Sequence, residues 1–203
     1  MDPRGTVGSM ATNPGDGTFH SNLRITRFGL LLAVSTIFFG YALGGAFGAT
    51  EDTIQAGLRA SADAVRDTVY QGDDGKVQAV VGKSWTYLKR AHMHAGGIGS
   101  ASLGLILLLG ALRRPSPVVR ASIAWALGLG ALGYSSFWLI AGKLAPGLGG
   151  TGQAKEALAF LAFPSAGLLL LGVLAVVVVT AVEFFAPAPA TQAERPPGVR
   201  PSA

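Results

Sequence analysis

Two histidines, His92 and His94, stand where the charged approach Tyr87-Leu-Lys-Arg90 gives way to a long apolar run that opens at Ala91. Imidazole titrates near neutral pH and ligates iron, copper and zinc, and ionisable groups near membrane depth are costly enough to mark a functional site. Soft or polar neighbours are available in Tyr41 and Met93, and in the set Tyr134, Ser135, Ser136 and Trp138. A thioether such as Met93 suits copper(I). The chain has three histidines and no cysteine, which excludes disulfides, thiolate catalysis and Cys-based zinc or iron–sulfur sites.

The elements that position these residues follow from composition. Of 203 residues, 50% are hydrophobic and 13% charged, and the mean hydropathy of +0.45 is too high for a soluble domain of this length. The apolar residues collect into four uncharged runs, each of the roughly 20 residues that a helix needs to cross about 30 Å of hydrocarbon. The spacing predicts an all-α membrane protein, a four-transmembrane-helix bundle with spans at about 28–49, 91–112, 121–142 and 157–182. Residues 23–186 form the membrane domain. Residues 1–22 and 187–203, rich in Gly, Ser, Thr and Pro without apolar periodicity, are expected to be disordered tails.

A net charge of +5 would suggest nucleic acid in a soluble protein, but here the bases sort by topology. Arg24 and Arg27 precede the first span, Arg113, Arg114 and Arg120 fill the short second connection, and Arg195 and Arg200 follow the fourth. Because such residues stay on the cytoplasmic side, both termini are expected inside a bacterial-type inner membrane, with the first and third connections outside. The first span could be a cleaved signal peptide ending near Ala46-Phe-Gly48, but its apolar core is longer than such segments usually carry.

The first connection, 51–90, reads as a small extracytoplasmic helical cap between helices 1 and 2. Ile54, Leu58, Ala62, Val65 and Val69 recur at spacings of three and four, with Thr50 or Asp52 available to cap the start. Gln71-Gly-Asp-Asp-Gly75 breaks the pattern, and a second helix runs from Lys76 into the second span. Asp73 and Asp74 lack the ligand spacing of a calcium loop. The glycine-rich connection Leu144–Gly152 predicts a turn, the fourth helix is expected to begin at 153–156, and Pro164 is expected to kink it.

Polar residues within the spans gather toward the outer ends, which disfavours a path through the whole membrane. On a helix, His92 and His94 point about 200° apart. His92 shares its face with Gly96 and Gly99, the close-packing side, so it is expected to face the bundle while His94 looks toward headgroups or the cap. Gly40, Gly44 and Gly48, four residues apart, form a second close-packing face.

Ala91-His-Met-His94 at the head of an apolar helix resembles the Ala-His-aromatic-His stretch of heme–copper oxidase subunit I, whose two histidines ligate the irons of different hemes. That resemblance, four residues long, implies heme b or copper, with His92 matching the ligand of the oxygen-reducing heme and His94 that of the electron-transferring heme. Met93 departs from the pattern, and no further histidine lies in the spans to complete an oxidase. A bound cofactor would need Met93, Tyr41, a second protomer or a partner subunit. A hydrolase would need Ser135 or Ser136 to meet His92 and an acid such as Glu156, which no spacing provides. The sequence therefore favours a non-enzymatic subunit or accessory protein that contacts the bilayer and a membrane-protein partner or a second copy. A redox protein is the alternative.

Overall fold

The computed structural model describes residues 14–187, within which the regular elements are all helices. They are α1 (Pro14–Asp63), α2 (Arg66–Val69), α3 (Asp74–Ala111), α4 (Pro117–Leu148), α5 (Thr151–Ala157) and α6 (Ala159–Phe185). Four of them, α1, α3, α4 and α6, are long and apolar enough to cross a membrane. Helices α1, α3 and α4 pack mutually, whereas α6 leans mainly on α4.

The expected first tail is partly helix. Residues 14–22 continue α1 because Asn22 Nδ2 donates to the carbonyl of Gly110 at 2.9 Å, and Phe19 and Leu23 lie against the glycine surface there. Tertiary contact overrides a composition that predicts disorder. Residues 1–13 and 188–203, which hold the rest of the expected tails, lie outside the described residues.

Helix α1 leaves helical geometry once, at Thr50 (φ −138°, ψ 28°), where the first span was expected to end. Neither Thr50 nor Asp52 supplies the expected N-cap. Instead the Thr50 hydroxyl donates back to the carbonyl of Ala46 at 2.8 Å, a local bond that competes with the helical ladder and bends helices. The following amphipathic stretch packs Leu58 and Ala62 inward. Helix α3 starts two residues before the expected Lys76, capped by Asp73, whose carboxylate accepts from the backbone amides of Gly75 and Lys76. Asp74 pairs with Arg66 at 3.0 Å, so both acids of the turn hold structure.

The third connection differs from expectation. Helix α4 runs on to Leu148 through Pro146 and ends at Gly149, whose φ of +89° suits glycine, with the amide of Gly150 bonding the carbonyl of Ala145. Tyr70 supplies the reason: its buried hydroxyl donates to the Pro146 carbonyl, satisfying an acceptor that the helix end leaves open. The following helix is interrupted at Leu158 rather than starting cleanly at 153–156. Pro164 sits inside a continuous α6, six residues beyond that interruption.

Two apolar clusters hold the bundle. One joins Ala33, Ile106, Leu109, Ile123, Ala124, Leu127 and Val176 at the end where α3 turns into α4. The other joins Leu58, Ala62, Tyr70, Val77, Val81 and Leu88 to Phe137, Ala145, Ala154 and Leu158. The expected cap is thus not built from the first connection alone, since the last turns of α4 and α5 complete its core.

Candidate functional site

His92 sits in the seam between α1 and α3. Its Nδ1 lies 2.8 Å from the carbonyl oxygen of Gly40, and because a carbonyl only accepts, Nδ1 is the donor. Room for the ring comes from Gly44, where a Cβ would stand 2.7 Å from His92 Cε1. Phe47 meets the imidazole edge-on at 6.2 Å. Gly40 approaches the backbone of Gly96, and Gly99 approaches Ile37 and Thr36, so these three glycines belong to the α1–α3 seam. Gly48 does not: a Cβ there meets nothing within 4 Å.

His94 lies on the opposite flank of α3, against α4. It stacks on Tyr134 at 5.5 Å and meets Trp138 edge-on at 5.9 Å. Since α3 has α1 on one side and α4 on the other, residues 200° apart both find neighbours. Tyr87 and Phe137 extend the ring cluster, and the Arg90 guanidinium lies 5.0 Å above Trp138 and 5.4 Å above Tyr87. Arg90 is exposed, and a cation over aromatic faces at such a site is worth about 0.5–1 kcal/mol. Trp138 Nε1 is buried with no hydrogen-bond partner.

These placements test whether the chain's own residues fit heme or copper. Tyr41 is 76% exposed and Met93 67% exposed, each pointing away from His92. The two histidines occupy separate seams, and no group of three His, Cys, Asp or Glu converges among the described residues. The residues do not form a ligand set for either group. The parts of a hydrolase do not meet either: the Ser135 hydroxyl bonds back to the carbonyl of Ala131 at 2.8 Å, Ser136 is half-buried beside it, and Glu156 is exposed on α5.

Two features escaped sequence reasoning. Arg120, read as a topology marker, is 2% exposed, and its guanidinium donates to the carbonyls of Leu109, Leu112 and Arg113, capping the end of α3. Its only signal was a lone arginine one turn into an apolar helix. Beside it Glu183 accepts from the Arg114 amide at 2.9 Å, fastening the end of α6 to the α3–α4 turn. The second feature is a pocket of about 420 Å³ between α1, α3 and α4, lined by Leu43, Phe47, Ile54, Leu58 and Leu139 with Lys143 and Ser61 as its polar groups. No single stretch of sequence announces it, because its walls come from three helices.

No family model, curated protein or solved structure matches the chain. What the arrangement can do is therefore argued from its surfaces. One surface is unusual: on α3, Met93, Gly97, Ser100, Ala101, Gly104 and Leu108 all face outward, at helical spacings of three and four. A Cβ at Gly97 or Gly104 would meet nothing within 4 Å, so the small residues on this face serve no packing inside the chain.

Proposed function

We propose that the protein is a non-enzymatic subunit or accessory protein of a membrane complex, inserted by four spans in a bacterial-type inner membrane. Both termini lie on the cytoplasmic side and the helical cap lies outside. The arginines at 113 and 114 support this orientation, although Arg120 is engaged in capping and counts less as a surface marker. The observation that carries the reading is the outward small-residue face of α3. Membrane helices associate through small residues that let backbones approach, and lipid gains nothing from them. The seams inside this bundle use other glycines, Gly40, Gly44 and Gly99, which leaves the outward face of α3 for a helix of another chain.

The test is association after mild solubilisation. The wild-type chain is expected to migrate with a partner membrane protein or as a defined oligomer. The double variant Gly97→Leu/Gly104→Leu is expected to lose that association while keeping its unfolding midpoint, because neither new side chain meets the bundle. A wild-type chain that runs as a lone monomer, or a variant that associates as well as wild type, overturns the reading.

A further inference from the structure

The pocket between α1, α3 and α4 has the size of a ligand site, about 420 Å³ against the roughly 300–1,000 Å³ typical of small-molecule pockets. Along α1 its wall comes from two helical segments, Leu43 to Phe47 and Ile54 to Ser61, on either side of the break at Thr50. Apart from Lys143 and Ser61 the lining is apolar, which suits a hydrocarbon chain. Thr50, where α1 departs from helical geometry, lies between the lower wall of Leu43, Ala46 and Phe47 and the upper wall of Ile54, Gly57, Leu58 and Ser61.

The polar groups of the pocket lie along the later turns of α4: Lys143 stands one turn beyond Leu139, with Leu88 packed at neighbouring Gly142, and the Ser61 hydroxyl is near Gly147 a turn further on. No carboxylate lines the space. Asp63 is paired with Arg59 at 3.1 Å and Asp74 with Arg66 at 3.0 Å, and the exposed Lys143 forms no ion pair among the described residues. A lysine at the end of an apolar slot, on a stem that reaches toward water, matches an anionic headgroup above an acyl chain.

We propose that this pocket binds one acyl chain of an anionic bilayer phospholipid, with the headgroup phosphate held by Lys143 and Ser61. The slot holds a single chain and is open along its side, so the second chain stays in the surrounding lipid. The inference rests on the membrane reading above, and the two fail separately. Loss of the membrane reading would appear as protein extracted by alkaline carbonate.

The experiment equilibrates detergent-purified protein with dioleoylphosphatidylglycerol, dioleoylphosphatidylcholine or sodium oleate, and counts retained molecules by native mass spectrometry. Wild type is expected to retain the phosphatidylglycerol about fivefold better than the phosphatidylcholine, the effect of one lysine on an anionic headgroup. Lys143→Gln is expected to abolish that preference. Gly57→Trp fills the upper slot where a Cβ now meets nothing within 4 Å, and is expected to lose retention of both phospholipids with an unchanged unfolding midpoint. Equal retention of the two phospholipids by wild type, wild-type retention by Gly57→Trp, or retention of oleate in place of phosphatidylglycerol overturns the proposal.

Discussion

At the scale of single residues, two buried side chains close helix ends that the backbone leaves open. Arg120 satisfies three carbonyls at the end of α3 with one planar fork. Replacing it with Met orphans those acceptors, and the expected cost is about 1–3 kcal/mol in denaturant unfolding. Lys at this position is expected to recover little, since a point charge cannot span three acceptors. Tyr70 does the same for Pro146, and burial raises its phenol above the ordinary tyrosine value. The folded state therefore holds the proton more tightly than the unfolded chain. Stability from this group is fully present below about pH 10 and falls as pH rises further, because the unfolded phenol ionises first. Tyr70→Phe removes that alkaline loss at a cost of about 1 kcal/mol at neutral pH, which parallel unfolding series at pH 7 and pH 11 would reveal. Neither residue was legible in the sequence, because each acts on a carbonyl that only the fold brings near.

Elements were more legible than their ends. Helical periodicity and uncharged run length located α1, α3, α4 and α6, and the spacing of Leu58 and Ala62 marked the amphipathic continuation of α1. Ends were misread where a side-chain bond to a carbonyl decided them: Asn22 extends α1 backward, Tyr70 stabilises α4 beyond its proline, and the Thr50 hydroxyl donates back to the Ala46 carbonyl where α1 is interrupted, rather than capping. The glycine faces show the same division. Gly40→Ala drives a methyl to 2.8 Å from the Gly96 amide nitrogen and Gly44→Ala meets the His92 ring, so each is expected to separate α1 from α3 at a cost of about 1–3 kcal/mol. Gly48→Ala, four residues on in the same series, faces open space and is expected to leave the unfolding midpoint unchanged or slightly raised. Equal losses at all three positions would show that Gly48 packs in the seam as Gly40 and Gly44 do.

At the scale of the whole molecule, the chain has one rule of construction. Helix α3 is the centre, with His92 and His94 reaching to opposite neighbours, while α6 touches little besides α4 and leaves Phe163, Leu170, Leu171 and Leu174 bare. Apolar exposure on this scale fits a lipid environment. The proposed orientation is checked by cysteines introduced at Asp73 and Ser116, clean probes because the chain has none of its own. In sealed cells the first is expected to label from outside and the second from inside; the reverse pattern would invert the topology. The histidine pair was legible as a pair of special residues, but their task was not, since sequence spacing gives directions and only the fold supplies what lies in them. The same centre has a mechanical side. Helix α3 runs 38 residues without interruption, about 57 Å at 1.5 Å per residue, while α1 is broken at Thr50 and the chain from α4 to α6 at Gly149 and Leu158. The breaks in its neighbours lie beside its Asp74 end, so α3 is a mast among jointed spars. Its unbroken length fixes the separation between the Asp73 cap at one end and the Arg120 and Glu183 fastening at the other.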